Sequence, residues 1–330
     1  MPPGDERRRS DADRVEEPVT GQARRFDGAT VLVTGATGFI GGHVVDLLHR
    51  SGAEVHAIHR RPDPVVSFAT PVHWHHADLT DAEATAAAVE AAAPAHIVHL
   101  ASLVKGARDP ELLLPMFQAN VASTVHLLEA ARTTGVSRVL LAGSLEEPGP
   151  GEAPSSPYAL SKAASHLYGD HYRSSAGVEV VNLQIFMVYG PATPDGSKLV
   201  PYVTNQLLDG RSPELSSGSR LVDWVYVGDV AEGVARCCLA DPVPTAPVPL
   251  GTGALHSIRE VVETLVEATG SPAQPRFGSM ADRSDEVVRA ADVDCTRSQL
   301  GWAPSTTLAE GLAATVDWYR RHRTGAPVGG

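Results

Sequence analysis

Three glycines at G-x-x-G-x-x-G spacing constrain the fold of this chain more than any other feature. They are Gly35, Gly38 and Gly41 of "VTGATGFIGGHVV", which follow a β-branched run and open a segment with helical apolar spacing. In a strand–turn–helix unit such glycines permit a tight turn, close approach of a pyrophosphate and close helix–strand packing, with the phosphates at the positive helix N-terminus. The pattern therefore predicts a dinucleotide site. The other residues of the turn predicted to line it are Thr37, Phe39 and Ile40.

Short β-rich runs alternate with longer Ala- and Leu-rich segments from Thr30 to about residue 190. Nearly continuous apolar strands joined by helices indicate a parallel sheet covered on both faces. We therefore expect an α/β fold in which residues 28–190 form a Rossmann-type doubly wound parallel sheet. Residues 191–330 are expected to form mainly a smaller C-terminal substrate-binding lobe, with some segments returning to the sheet. The charged residues 1–27 are expected to be a disordered extension.

Composition excludes several classes of function. The formal net charge of −12 argues against a general nucleic-acid binder, and no apolar run reaches the roughly 20 residues of a membrane span. The first residues contain no apolar signal-peptide core, and Cys237, Cys238 and Cys295 form neither a disulfide framework nor a zinc spacing. We therefore expect a cytoplasmic protein without nucleic-acid, membrane or metal partners.

The segment "SPYALSKAASHLYG" is the strongest indication of catalysis. Tyr158 and Lys162 are four residues apart on a predicted helix and share one face. A neighbouring ammonium stabilises phenolate and lowers a tyrosine pKa that is normally about 10. Such a tyrosine can give a proton to a carbonyl oxygen or take one from a hydroxyl. Ser144, at the end of the strand "RVLLAGS", can hydrogen-bond the same reacting oxygen.

With these pieces together, the chain resembles the extended short-chain dehydrogenase/reductase family, in its nucleotide-sugar epimerase/dehydratase/reductase branch. The motifs that carry the resemblance run in family order from Val31 to about Pro304. They are "TGATGFIG", "ADLTD", "HLAS", the asparagine of "QANVAS", "GS", "YALSK", "VYGP", "VDWVYVGDVA" and "LGWAP". The resemblance implies a Rossmann domain that holds the cofactor and a lobe that holds a nucleoside-diphosphate sugar.

The resemblance also implies roles for individual residues. Ser144 would hydrogen-bond the reacting carbonyl, Tyr158 would transfer the proton, and Lys162 would stabilise the phenolate and bind the nicotinamide ribose. Asn120 would support the site or serve only as a structural helix amide. Asp78 would hydrogen-bond the adenine or cap the next helix. The further cofactor-binding residues implied are Leu79, Leu100, Ala101 and Ser102.

The chain departs from the family pattern where the substrate diphosphate binds. Met187 in "IFMVYGP" stands where an asparagine is frequent, and Val222 in "VDWVYV" replaces an arginine. We infer that Arg220, two residues earlier and on the same side of a strand, shares the binding of anionic groups with Lys198 and Arg283. The alternative is solvated surface charge. The predicted substrate-binding residues are Ser144, Met187, Lys198, Leu199, Arg220 and Arg283.

The residues after Ser144 bear on the reaction. The segment resembles the corresponding segment of the 4,6-dehydratases of this branch. Those enzymes carry an Asp–Glu pair after the hydroxyl residue, and the pair moves the C5 proton. Here Leu145 occupies the Asp position and Glu146 the Glu position. Glu146 is therefore a candidate catalytic residue, a contact for a sugar hydroxyl, or only a loop residue.

The end of the second strand, "VHAIHRRPD", bears on the cofactor. An acidic residue that binds the ribose of NAD is usual there, and His59, Arg60 and Arg61 stand in its place. Because arginine binds a 2′-phosphate with a charged fork, NADP(H) is favoured. In the alternative, one arginine stacks on the adenine of NAD. Since a net reductase draws on NADPH, the leading hypothesis is reduction of a nucleoside-diphosphate 4-keto-(6-deoxy)hexose at C4.

Three alternatives stay open. They are a 4-epimerase with tightly bound NAD, a 4,6-dehydratase that uses Glu146, and a non-catalytic dinucleotide-binding protein, which would not need Tyr158 and Lys162. The resemblance also implies a homodimer held by a helix bundle, for which the helices within residues 112–132 and 157–176 are the candidates.

Overall fold

Two sheets form the framework, and the computed structural model describes them within residues 26–61, 70–282 and 287–323. The strands of the main sheet are β1 (Thr30–Thr34), β2 (Glu54–His59), β3 (His73–His76), β4 (His96–His99), β5 (Arg138–Ala142), β6 (Glu179–Ile185) and β9 (Val248–Leu250). They are all parallel and lie in the order β3-β2-β1-β4-β5-β6-β9. A smaller sheet contains β7 (Met187–Tyr189), β8 (Leu221–Tyr226) and β10 (Leu255–Ser257). Its central strand is β8.

The α-helices cover the two faces of the main sheet and build the smaller lobe. They are α1 (Phe39–Arg50), α2 (Ala82–Ala92), α3 (Leu113–Met116), α4 (Ser123–Thr134), α5 (Pro157–Ser175), α6 (Leu199–Leu208), α7 (Val227–Cys238), α8 (Ile258–Thr269), α9 (Val293–Leu300) and α10 (Leu308–Arg323). Helices α1 and α7 pack on one face of the sheet, and α2, α4 and α5 pack on the other.

The first strand shows why the sheet is buried on both sides. Val31 and Val33 pack into the core cluster under α1, whereas Leu32, between them, packs into the cluster under α4. All three are fully buried, so a strand of this kind is apolar without alternation. The predicted doubly wound parallel sheet with helices on both faces is confirmed.

A third core cluster belongs to the smaller lobe. It joins β8 to α6, α8 and α10 through residues such as Val203, Val222 and Leu265. Two elements that follow residue 190, β9 and α7, instead join the main sheet and its covering helices.

The described part of the chain begins at Phe26, whose side chain is buried and whose amide donates to the Ser51 carbonyl. It therefore starts within the extension expected over residues 1–27; residues 1–25 lie outside the described part. Across the described ranges, every helix is too short or too polar to serve as a membrane span.

Candidate active site

The glycine turn lies between β1 and α1, at the carboxyl edge of the main sheet. Gly35 has a φ of +70°, and a Cβ on it would lie 2.7 Å from the Ala101 amide nitrogen. A Cβ on Gly41 would overlap the Gly35 carbonyl oxygen, which also accepts a hydrogen bond from the Gly38 amide at 2.9 Å. The turn therefore requires glycine at both positions and keeps α1 directly against the sheet.

The start of α1 is open to an anionic group. Thr37 and Gly38 are exposed, and Gly38 caps the helix without a side-chain hydrogen bond. Phe39 and Ile40, in the first helical turn, are half-buried. Backbone amides at an exposed helix N-terminus are suited to bind phosphate groups.

The segment after β4 runs beside this turn. The Leu100 amide donates to the Thr34 carbonyl and the Ala101 amide to the Thr34 hydroxyl, both at 3.2 Å. The next residue, Ser102, has a buried hydroxyl with no hydrogen-bonding partner among the described residues. An unpaired buried hydroxyl beside an open helix N-terminus fits a polar ligand such as a dinucleotide.

The end of β2 presents two arginines. Arg60 and Arg61 are exposed, and His59 is half-buried with its ring edge-on to Trp74, at 5.3 Å between ring centroids. The three residues predicted to face the adenosine ribose therefore lie at the carboxyl edge of the strand next to the glycine turn. These three residues supply two positive charges and no carboxylate to the ribose end of the predicted dinucleotide site.

Asp78 follows β3 at the same edge of the sheet. Its carboxylate accepts hydrogen bonds from the Thr80 amide at 3.0 Å and hydroxyl at 2.8 Å. The Thr80 backbone hydrogen bond is the main reason that the pKa of Asp78 is lowered, and the Arg60 charge adds to it. The cap of α2 is Asp81, so the alternative that Asp78 caps this helix is wrong. The Leu79 carbonyl is hydrogen-bonded to the His126 ring at 3.0 Å.

Ser144, Tyr158 and Lys162 meet between the end of β5 and the start of α5. The Lys162 ammonium donates to the Ala142 carbonyl at 2.8 Å and lies 5.8 Å from the centre of the Tyr158 ring. The Ser144 side chain lies near the Tyr158 hydroxyl and favours its ionised form, which lowers the pKa of the tyrosine. The structure thus brings together the three residues that the sequence predicts to act on one substrate oxygen.

Burial dominates the electrostatics of the tyrosine and the lysine. It raises the pKa of Tyr158 above its usual range, and the Ser144 side chain offsets only part of this effect. Burial also lowers the pKa of Lys162 to about 8, against the opposing effect of the Glu147 carboxylate. The expected lowering of the tyrosine pKa by the lysine is therefore absent in the protein alone, because the cost of burying a phenolate is larger.

Asn120 lies in a π-helical turn, Phe117–Ala122, between α3 and α4. Its Oδ1 accepts from the Leu103 amide at 2.7 Å, and its Nδ2 donates to the Leu103 carbonyl and the Ser161 hydroxyl. Protein groups therefore occupy both ends of the amide. This arrangement joins the segment after β4 to α5, next to Lys162, and agrees with a supporting role.

The residues predicted to bind the substrate are spread over the smaller lobe. Met187 is half-buried at the start of β7, and Arg220 is half-buried just before β8. Lys198 is exposed and precedes α6, whose first residue is the half-buried Leu199. Arg283 lies outside the described residues.

The sequence profile of a known family matches residues 31–244, which contain the glycine turn and the Ser144, Tyr158 and Lys162 set. The chain belongs to the NAD dependent epimerase/dehydratase family. This confirms the expected nucleotide-sugar epimerase/dehydratase branch of the extended short-chain dehydrogenases/reductases.

Several members of this epimerase/dehydratase family align with almost the whole folded chain. The UDP-glucose 4-epimerase of Mycolicibacterium smegmatis is 33% identical over 317 residues, which cover 88% of this chain and 98% of the relative. The dTDP-glucose 4,6-dehydratase of Streptomyces griseus is 32% identical over 322 residues, covering 89% and 95%. The crystal structure of the Thermus thermophilus UDP-glucose 4-epimerase in complex with NAD has a TM-score of 0.76 at 30% identity and covers 88% of this chain and 99% of that structure.

The loop after β5 carries the residues that distinguish reactions within the epimerase/dehydratase family. Leu145, at the position of the dehydratase aspartate, is 7% exposed and packs into the core. Glu146 is half-buried, donates its amide to the Ser144 hydroxyl at 3.2 Å, and raises the pKa of Tyr158 by its negative charge, although less than burial does. Of the Asp–Glu pair that the resemblance to the dehydratases implies, the loop therefore carries only the glutamate, as the sequence already indicates.

Sequence reasoning missed the residues that hold this loop. Glu147 accepts from the Ser144 amide at 2.7 Å through Oε1, and its Oε2 lies 2.8 Å from Nδ1 of His166 on α5. From the other side, Arg289 donates to the carbonyl oxygens of Glu147 and Leu145 at 2.7 and 3.2 Å. The available signal was spacing: His166 follows Lys162 by one helical turn, and Glu147 follows Ser144 by three residues.

Proposed function

We propose that the protein is a nucleotide-sugar 4-epimerase that works with a bound nicotinamide dinucleotide. The observation that carries this proposal is the loop after β5, where Ser144 joins Tyr158 and Lys162 but the next residue is the buried, apolar Leu145. Redox chemistry at C4 needs the first three residues, whereas dehydration also needs acids that move the C5 proton. The extensive similarity to a UDP-glucose 4-epimerase supports the same choice.

The cofactor would bind along the carboxyl edge of the main sheet. The backbone amides of Phe39 and Ile40, in the first turn of α1, would bind the pyrophosphate, Asp78 the adenine, and Lys162 the nicotinamide ribose. The unpaired Ser102 hydroxyl would gain a partner. When bound, the dinucleotide supplies the hydride acceptor and donor at C4.

The proton chemistry falls to Tyr158. It would take the proton of the C4 hydroxyl as the sugar is oxidised and return one when the 4-keto group is reduced from its opposite face. Ser144 would hydrogen-bond the same oxygen. Because burial disfavours a phenolate at Tyr158, the positive charge of Lys162 is needed at the moment the tyrosine loses its proton.

The diphosphate of the substrate would be bound in the smaller lobe. Lys198 at the start of α6 and Arg220 before β8 are the described cations that we assign to it, and Arg283 remains a prediction from sequence. Met187 and Leu199 would contact the nucleotide or sugar. The relatives of known structure include a UDP-glucose 4-epimerase solved with UDP-glucose, which supports a nucleoside-diphosphate hexose as the substrate class.

A second candidate is favoured by the end of β2. Arg60 and Arg61 are exposed there, and the strand ends without the carboxylate that binds the ribose diol. This favours a 2′-phosphate and hence NADPH-dependent reduction of a 4-keto sugar by the same Tyr158. The sequence alone ranks this reduction first; the relatives, which include a 4-epimerase but add no support for reduction, lead us to rank it second.

Dinucleotide content and product analysis separate the two candidates. Purified protein, incubated with UDP-glucose and no added cofactor, is expected to equilibrate it with its C4 epimer, and denaturation is expected to release NAD. Absence of epimerisation, combined with NADPH oxidation by a nucleoside-diphosphate 4-keto-6-deoxyhexose, would reject the epimerase and support the reductase. In that case Arg60→Ala with Arg61→Ala should weaken NADPH binding far more than NADH binding, since only NADPH carries the 2′-phosphate.

We also propose that the protein is a homodimer formed through α3 to α5. Large apolar side chains are exposed on these helices and on the π-helical turn between them. In most proteins such side chains pack in the core, and a patch of them on the surface marks a site of protein–protein contact. The exposed side chains are Leu113, Leu114, Phe117, Leu160 and Leu167, which are 45–70% exposed. The location of the protein in the cytoplasm stays a prediction.

A further inference from the structure

Three histidines and a glutamate lie together on one face of the sheet edge formed by β2 and β3. Glu54 and His56 are two residues apart on β2, and His73 and His75 are two apart on β3, so each pair shares a face. The parallel register pairs His56 with His73. All four side chains therefore lie on the same face of this sheet edge.

The spacing of three of these groups matches a metal-binding polyhedron. Oε1 of Glu54 lies 3.4 Å from Nε2 of His56 and 3.5 Å from Nε2 of His73, and all three atoms lie within 4.8 Å of one another. A tetrahedral zinc ion with bonds of about 2.0–2.1 Å separates its ligand atoms by roughly 3.4 Å. The side chains of His73 and Glu54 are 59% and 50% exposed. They can therefore move by the small distance that separates the present ligand-atom spacing from that of a tetrahedral site.

The fourth side chain acts on the ring of His56. Nδ1 of His56 lies 2.9 Å from Nε2 of His75, and the two rings are stacked with centroids 5.1 Å apart. Metal-binding histidines usually donate their other ring N–H to a neighbouring acceptor, which fixes the tautomer. If His56 donates from Nδ1 to His75, its Nε2 is unprotonated and directed at Glu54.

We propose that Glu54, His56 and His73 bind one divalent metal ion, and that the ion is zinc. His75 orients His56, and a water molecule is the fourth ligand. Two imidazoles and a carboxylate are ligands that zinc accepts, whereas calcium and magnesium prefer oxygen alone. His56 and its register partner His73 lie three residues, or roughly 10 Å, before the cofactor end of β2 at His59. The ion would therefore fasten the edge strand β3 to β2, not take part in the reaction.

The cysteine spacing alone predicts no metal site, and the proposed ligands include no cysteine. The ligands come from two strands, and His56 and His73 are brought together by strand register, not by a short motif. Nothing in the local spacing reveals which face of each strand carries its histidines.

Zinc titration of untagged, chelator-treated full-length protein tests this proposal. By calorimetry we expect one equivalent of Zn²⁺ to bind, and by thermal denaturation we expect a higher Tm with the ion. His73→Ala, at an exposed edge position, should lower the affinity at least about tenfold, as removal of one ligand does, and Glu54→Gln should act similarly. The matched control is His76→Ala: it removes a histidine from the same strand, but on the opposite face, and should bind Zn²⁺ as wild type does.

Co²⁺ gives an independent measurement, because its visible absorption bands report the coordination geometry. A four-coordinate spectrum in wild type and in His76→Ala, lost in His73→Ala, is the expected result. Failure of wild-type protein to bind a stoichiometric ion, or equal binding by His73→Ala with native circular dichroism, would overturn the assignment.

Discussion

Glu147 and His166 are hydrogen-bonded partners beside the candidate active site: Oε2 of the glutamate lies 2.8 Å from Nδ1 of the histidine, and both side chains are largely buried. The other carboxylate oxygen accepts from the Ser144 amide. One carboxylate thus connects the loop that carries Ser144 to the helix that carries Tyr158 and Lys162. We therefore expect the distance between the serine and the tyrosine to depend on this connection.

Removal of Glu147 is expected to slow turnover without releasing the cofactor. Glu147→Ala leaves the Ser144 amide and Nδ1 of His166 without the partner that each has in wild type. This costs about 1–3 kcal/mol for each buried group and lowers kcat about tenfold through misplacement of Ser144. Glu147→Gln keeps an acceptor for the amide and should restore most of kcat. Steady-state kinetics and bound-dinucleotide content measure these effects. The control is Glu90→Ala, an exposed acid on α2 away from this loop; equal kcat for Glu147→Ala and wild type would contradict the connection.

Replacement of the Tyr158 hydroxyl should abolish the chemistry. Tyr158→Phe removes the group that moves the proton and is expected to lower kcat by about 10²–10⁴-fold, while the protein still contains dinucleotide. Tyr168→Phe is the matched control, because Tyr168 is an exposed tyrosine on the same helix. Turnover of Tyr158→Phe close to that of wild type would refute the assigned role.

Glu146 separates epimerisation from dehydration. If the enzyme is an epimerase, Glu146→Gln should change C4 epimerisation by less than about tenfold, since the carboxylate is not needed to transfer the C4 hydroxyl proton. Wild-type protein should also form no 4-keto-6-deoxy product from dTDP-glucose. Product analysis by chromatography measures both. Formation of this product, with its loss in Glu146→Gln, would instead identify a dehydratase.

The sequence predicts the main sheet, and the shared position of Tyr158 and Lys162 on one helix face, for a physical reason. The runs around Val31 to Val33 are buried on both faces and so are apolar throughout, and Tyr158 and Lys162 are related by one helical turn, a local spacing. Contacts between distant segments have no such signal. Asp223, in a motif shared with the family, accepts hydrogen bonds from the backbone of Thr252, Gly253 and Ala291, and only the fold reveals this structural role.

Charge on the exposed helices should dissociate the proposed dimer. Leu114 and Leu167 are 64% and 70% exposed, and an aspartate at each would bury unpaired charge in a helix–helix interface. Leu114→Asp with Leu167→Asp is expected to sediment as a monomer, whereas wild type sediments as a dimer. Met280→Asp, which changes an exposed apolar residue outside these helices, should leave the dimer intact. Unchanged sedimentation of the double variant would place the interface elsewhere or reject the dimer.

Lys162 is expected to make the enzyme less stable at neutral pH than a variant without its charge. Its pKa is about 8 in the folded protein and 10.5 in the unfolded chain, so between these pH values the unfolded chain binds more protons and the free energy of unfolding rises with pH. Below pH 8 the folded protein carries the whole cost of the buried ammonium. Lys162→Met should therefore be more stable than wild type near pH 7, by on the order of 3 kcal/mol, and the difference should shrink toward about pH 10, while turnover is lost. Urea denaturation at both pH values measures this. The exposed-lysine control Lys198→Met should differ from wild type equally at the two pH values, and a Lys162→Met protein that is less stable at neutral pH would show that the ammonium stabilises the fold.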